Sequence, residues 1–205
     1  MNAQGSFFDE TEATEISLLN GELAYYPQFF NLVESNHFMQ LLKETIDWKQ
    51  ESMKIYGKAV LFPRLMAWYG DNAASYGFSG NTFASQPWTP GLLQIRDRIT
   101  PVSGQLFNSV LLNLYRNGND SMGWHADDEP ELGTHPVIAS VNFGATRRFQ
   151  LRYKNDHKRK YELSLQHGSL LIMKGALQDY WEHQVPKTTK VSDGRINLTF
   201  RFIHP

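Results

Sequence analysis

The sequence predicts a mostly β domain of jelly-roll type with flanking helices, and three observations carry that expectation. From about residue 107 onward, short strand-like runs follow one another, separated by turn signals such as Asn117-Gly118-Asn119 and His167-Gly168. The two stretches with helical periodicity both fall in the first half of the chain. A length of 205 residues, 41% apolar and 20% charged, suits one compact unit able to bury a core. Many short strands at close spacing favour antiparallel pairing in a sandwich or barrel.

Taken in order, residues 1–20 are acidic and polar without an apolar period and are expected to form a flexible tail. Asn31-Leu-Val-Glu34 has the form of a capping box. Phe38, Leu41, Leu42, Thr45 and Trp48 follow it at helical spacing, which predicts a helix to about Ile46. Pro90 opens a second helical stretch with Leu92, Leu93 and Ile99, expected to stop at Pro101. Between them, residues 53–88 are rich in aromatics, Gly, Ser and Asn, with a hairpin turn expected near Gly57. The strand-like runs of the second half are 108–115, 137–143, 148–153, 160–165, 169–174 and 195–203. Residues 21–105 thus hold the helices and 106–205 the β core, the two forming one compact unit.

Composition removes several function classes. The absence of cysteine excludes disulfides, iron–sulfur clusters, cysteine zinc sites and thiol catalysis. A net charge of -1 means that any nucleic-acid contact must come from local basic patches. The first twenty residues show no signal pattern, and no apolar run approaches the roughly 20 residues that cross a bilayer, so a cytoplasmic protein without membrane contact is expected. A monomer is expected as well.

Trp124-His125-Ala126-Asp127 places an imidazole and a carboxylate two positions apart. On an extended segment such residues share a face, so both reach one metal ion. His183 offers a second imidazole. Two imidazoles and a carboxylate on one face of octahedral iron(II) leave three positions open for co-substrate and oxygen, although the same ligands also suit zinc. Alone, the triplet is a weak signal. In the last strand-like run, Ile196, Leu198, Phe200 and Phe202 alternate strictly with Arg195, Asn197, Thr199 and Arg201. The polar set is either a solvated outer face or a pair of rigid bidentate guanidiniums for carboxylates. Arg195 and Arg201 start about 20 Å apart at strand rise, so they meet one small dianion only if their side chains lean inward. Asn113 and Tyr115, two apart on the run before the triplet, offer further hydrogen bonds to the same co-substrate.

Together these residues resemble the AlkB family of nucleic-acid demethylases, and within it the duplex-DNA-preferring members. The resemblance is carried by Asn113-Leu114-Tyr115, by Trp124-His125-Ala126-Asp127-Asp128-Glu129, by His183 and by Arg195 to Arg201, in the family's order. Residues 138–144 and 167–173 support it, and it covers roughly residues 55–203. It implies a double-stranded β-helix core with an N-terminal nucleotide-recognition lid, and iron(II) on His125, Asp127 and His183. It implies 2-oxoglutarate on Asn113, Tyr115, Arg195 and Arg201, with Asn197 and Thr199 nearby, and O2 as oxidant. The implied reaction removes methyl groups from 1-methyladenine and 3-methylcytosine in DNA, releasing formaldehyde and succinate.

Such an enzyme has to flip its base out of a duplex. Ile55-Tyr56-Gly57 at a hairpin tip resembles the family's wedge, with Lys54 and Lys58 beside it for phosphates. An ordinary exposed hairpin is the bland alternative. Tyr76, Phe78 and Ser79 align with the family's base-pocket lid, where aromatic faces sandwich the base. Arg64 supports that region, and Asp128 and Glu129 either contact the base or are simply solvated. Basic residues cluster at Arg152, Lys154, Lys158, Arg159 and Lys160, and again at Lys187 and Lys190; the second set adjoins the site and is the preferred phosphate contact. In the tail, Gln4-Gly5-Ser6-Phe7-Phe8 resembles the peptides by which repair proteins bind bacterial sliding clamps, Gly5 departing from the usual apolar residue. The rival readings are a dioxygenase acting on RNA or protein, and a non-catalytic binder of damaged DNA. The second would need a broken triad or a lost arginine.

Overall fold

Strict alternation in three central strands decides how the layers stack. The structure is a computed structural model, which describes residues 12–55, 58–71, 75–78 and 81–204. In chain order its strands are β1 (Thr14–Leu18), β2 (Gly21–Tyr26), β3 (Ser52–Ile55), β4 (Lys58–Leu61), β5 (Leu65–Gly70), β6 (Ser75–Phe78), β7 (Asn81–Ala84) and β8 (Ser109–Tyr115). They continue with β9 (Met122–His125), β10 (Ile138–Gly144), β11 (Arg147–Tyr153), β12 (Asp156–Leu165), β13 (Ser169–Lys174), β14 (Trp181–Val185) and β15 (Arg195–Arg201). The helices are α1 (Leu32–Thr45), α2 (Pro90–Ser103) and the short α3 (Leu177–Tyr180).

A seven-stranded sheet, in the order β1-β2-β13-β10-β15-β8-β5, faces a four-stranded sheet in the order β12-β11-β14-β9. The strands of both sheets pair antiparallel, which gives the expected jelly-roll. On β10, β15 and β8 one side is apolar throughout: Ala139, Val141, Phe143, Ile196, Leu198, Phe200, Val110 and Leu112 pack against α1 and α2. Phe38 and Leu42 of α1, with Leu92, Ile95 and Ile99 of α2, supply the helix side of that core. Each large apolar side chain buried there contributes roughly 1.5–3 kcal/mol. The other side of the three strands faces the smaller sheet and carries the polar residues, so β15 is buried on both faces.

α1 begins as expected. Asn31 Oδ1 accepts the Glu34 N–H, and Glu34 Oε2 accepts the Asn31 N–H, both at 2.9 Å. α2 departs from expectation, running through Pro101 to Ser103. Pro101 lies in the last turn, where its missing N–H leaves only the carbonyl of exposed Asp97 to water, and Gly104 closes the helix at φ 65°. The tail expected over residues 1–20 is corrected at its C-terminal part only, residues 1–11 lying outside the described residues. Residues 14–18 are an edge strand in register with β2, and Ile16 and Leu18 pack on the core between the sheets. Two such positions in five residues leave little sequence signal; pairing with β2 supplies the rest. β2 and β5 join the main sheet, so the β core draws on both halves of the chain.

The hairpin expected near Gly57 is present as the pair β3–β4, with Ile55 opposite Lys58. Tyr56 and Gly57 themselves lie outside the described residues, as do Ser79 and Gln4 to Phe8. Tyr76 and Phe78 lie on β6, which pairs with β7.

Candidate active site

Register brings the polar residues together. Asn142, Asn197, Asn113 and Met66 form one row across β10, β15, β8 and β5, and Ser140, Thr199 and Leu111 form the next. Arg195 stands opposite Tyr115. On the facing sheet His183 of β14 stands opposite His125 of β9. Of these residues all but Asn142 and Met66 line one cavity between the sheets, which holds both arginines, so their side chains do lean inward.

His125, Asp127 and His183 offer three ligand atoms within 4.8 Å of one another. The two imidazole rings are 4.2 Å apart at their centroids, and His183 Nε2 lies 3.9 Å from Asp127 Oδ2. His125 Nδ1 is 2.9 Å from the Gly123 carbonyl. A carbonyl only accepts, so Nδ1 carries the proton and the Nε2 lone pair is left for a metal. Burial lowers both imidazole pKa values, that of His183 to about 3, so both are neutral and ready to ligate at physiological pH. Burial works to raise the Asp127 carboxyl, but Arg201 and the two imidazoles outweigh it and hold the group below its usual range. Arg201 Nη2 donates to Asp127 Oδ1 at 2.5 Å.

Arg195 is buried beside Tyr115, its guanidinium carbon 5.0 Å from the ring centre. Burial lowers it to about 10, with Tyr115 opposing, so it stays cationic at neutral pH. Nη2 donates to Asn142 Oδ1 and the Tyr115 side chain interacts with the guanidinium, while Nε and Nη1 make no well-formed hydrogen bond among the described residues. Buried orphan donors on a cation are costly unless an anion meets them. Two neutral imidazoles, a carboxylate and a guanidinium with open donors therefore fit iron(II) together with a dicarboxylate.

Arg64, expected near the base pocket, lies in the wall of this cavity at 1% exposure. Its Nε donates to Asn113 Oδ1 at 2.6 Å and fixes that side chain. Asp128 is exposed and its carboxylate is paired with Lys154 Nζ at 2.9 Å; Glu129 is half-buried. Lys58, Lys187 and Lys190 are exposed. The Lys187–Lys190 loop is tied down at Gly118, whose N–H donates to the Val191 carbonyl and whose own carbonyl accepts from the Thr188 N–H, both at 2.9 Å. A Cβ at Gly118 would stand 2.0 Å from the Thr188 carbonyl oxygen, so only glycine allows this approach.

Sequence reasoning missed several supports. Ser140 Oγ accepts from Asn197 Nδ2 at 2.8 Å, and Asn142 holds Arg195. Their spacing of two within β10 was a signal for one shared face. Arg147 binds three loop carbonyls, those of Asn117, Asp120 and Pro186.

A jelly-roll that brings two imidazoles, one carboxylate and two buried guanidiniums into one cavity has the chemistry of an iron and 2-oxoglutarate site. Residues 22–201 match the 2OG-Fe(II) oxygenase superfamily, and the chain belongs to that family. Among individual relatives, it is 41% identical to the human alpha-ketoglutarate-dependent dioxygenase alkB homolog 3 over 88% of this chain. It spans 65% of that relative's length. It is 39% identical to the human DNA oxidative demethylase ALKBH2, over 87% of this chain and 72% of the relative. A solved structure described as OsALKBH1 shares the fold, with a TM-score of 0.63 at 20% identity, covering 92% of this chain and 100% of that one.

Proposed function

We propose that this protein oxidatively removes methyl groups from 1-methyladenine and 3-methylcytosine in DNA, releasing formaldehyde and succinate. The observation that supports this reading most is the single cavity in which His125, Asp127 and His183 meet the open guanidinium of Arg195. Relatives named as DNA oxidative demethylases point to the substrate.

In this reading His125, Asp127 and His183 hold iron(II). When bound with 2-oxoglutarate, the metal supplies O2 activation coupled to decarboxylation of the co-substrate. The chain's own residues do the positioning. Arg195 offers its open Nε and Nη1 donors to the oxygens of 2-oxoglutarate, with Tyr115 and Asn113 alongside. Asn197 and Thr199 line the floor, and Arg201 keeps Asp127 ionised as a ligand. The surrounding apolar residues Leu111, Met122 and Phe149 keep the cavity poor in water.

Duplex DNA is the substrate form proposed. Tyr56, flanked by Ile55 and Gly57, takes the space of the flipped base, and Tyr76, Phe78 and Ser79 close over the base with Asp128 and Glu129 at its rim, while Arg64 acts from the cavity wall by holding Asn113. Lys54, Lys58, Lys187 and Lys190 meet phosphates. Gln4 to Phe8 is proposed as a sliding-clamp peptide; a clamp pull-down lost on Phe8→Ala supports it, and no capture by the intact protein removes it.

The test is turnover of matched single- and double-stranded 1-methyladenine oligonucleotides by protein purified anaerobically with iron(II). Formaldehyde that requires both iron and 2-oxoglutarate is the expected result. Succinate without formaldehyde would move the substrate elsewhere, and no turnover by metal-loaded protein would remove the dioxygenase reading.

A further inference from the structure

The metal-binding carboxylate is gripped from behind by Gln178, which lies outside every motif, and by Lys154 of the first basic cluster. Gln178 of α3 is 1% exposed, and its Oε1 accepts the backbone N–H of Asp127 at 3.0 Å. Its Nε2 faces the Met173 sulfur at 3.7 Å, a weak acceptor, so the amide has one strong bond and that bond goes to Asp127. The Gln178 backbone carbonyl in turn accepts from Lys154 Nζ at 2.8 Å, and the same ammonium reaches Asp128 Oδ2 at 2.9 Å. Lys154 is further fixed through its backbone N–H, which donates to the Tyr180 carbonyl at 2.8 Å. Leu177 anchors α3 in the core between the sheets. Residues 127 and 128 are thus held to α3 by one side chain and one ammonium.

An aspartate has a short side chain, so the direction of its carboxylate follows closely from its backbone. Arg201 holds Asp127 Oδ1 on the cavity side, which leaves the peptide plane to be fixed from the other. We infer that Gln178 is a positioning residue for the metal: it sets the Asp127 peptide, and with it the angle at which the carboxylate enters the triad, while Lys154 locks Gln178 and Asp128 into the same frame. The inference depends on the triad being the metal site.

Cobalt(II) is a suitable probe, because its visible bands report the ligand set without turnover. Gln178→Met keeps the bulk and the contact with Met173 but removes the acceptor, whereas Gln178→Glu keeps an oxygen in place. Loss of an outer-shell partner costs about 10–100-fold in metal affinity. Gln178→Met is therefore expected to weaken cobalt(II) binding by roughly that factor and to alter the bands, and Gln178→Glu to restore affinity and band shape together. Melting curves of the metal-free proteins control for folding. If Gln178→Met does not fold, Lys154→Met, which leaves the Asp127 N–H bond in place, is expected to show the same band change in weaker form. Unchanged affinity and bands in the folded variants would overturn the inference. Failure of the unaltered protein to bind cobalt(II) would instead remove the metal site itself.

Discussion

At the scale of single residues, the site is a set of charges kept out of water by one another. Asp127 and Arg201 are both almost fully buried, with side-chain exposures of 2% and 3%. Breaking such a pair by removing one partner strands the other, at a cost of about 3–5 kcal/mol. His125→Ala and Asp127→Ala are both expected to abolish turnover, but only Asp127→Ala should also lower the melting temperature of the metal-free protein markedly. Equal melting temperatures would show that Arg201 finds another partner. Arg195→Lys keeps a cation but loses the fork, so the KM for 2-oxoglutarate should rise by roughly 10–100-fold. A steady-state titration of the co-substrate checks this, an unchanged KM assigning the carboxylate elsewhere. Most of these residues were legible because alternation puts i and i+2 on one face: Arg195, Asn197, Thr199 and Arg201 needed only the choice between inward and outward. Gln178 was not, since one glutamine in a four-residue helix has neither period nor partner in the sequence.

At the scale of elements, local rules read best where a side chain closes on its own backbone. The capping box of α1 was visible as Asn31 and Glu34 because both bonds are made within three residues. β1 was hidden because its stability comes from pairing with β2, and Pro101 misled because its penalty shrinks in a final turn. The contact of α1 with the sheet is expected to weaken in acid. His167 Nδ1 accepts the Gly144 N–H at 2.8 Å, and its Nε2 lies 3.2 Å from Asn36 Oδ1, so the ring is needed neutral. Burial lowers its pKa in the folded state, so the folded protein binds fewer protons here than the unfolded chain. The contribution is complete above an unfolded pKa of about 6.5 and is lost as the pH falls towards the folded value. His167→Asn keeps an acceptor near Nδ1 and should flatten that part of the melting temperature–pH curve between about pH 7 and 5. An unchanged slope would place the acid sensitivity elsewhere. For the hairpin β3–β4, Tyr56→Ala should reduce turnover of duplex more than of single-stranded substrate; equal losses on both would remove the wedge assignment.

At the scale of the whole molecule, the division of labour follows from the two sides of one sheet. One side gives its apolar residues to α1 and α2 and fixes the frame; the other turns its polar residues to the smaller sheet and forms the cavity. A protein built this way should tolerate changes in its hairpins far better than changes on the inner face of β15. The most direct measurement is stoichiometric: incubate iron-loaded protein with 1-methyladenine DNA, 2-oxoglutarate and O2, and count unmodified adenine and succinate by mass spectrometry. One adenine restored for each succinate formed is the expected result. Succinate formed in step with time while the methylated base stays unchanged would contradict the proposed function.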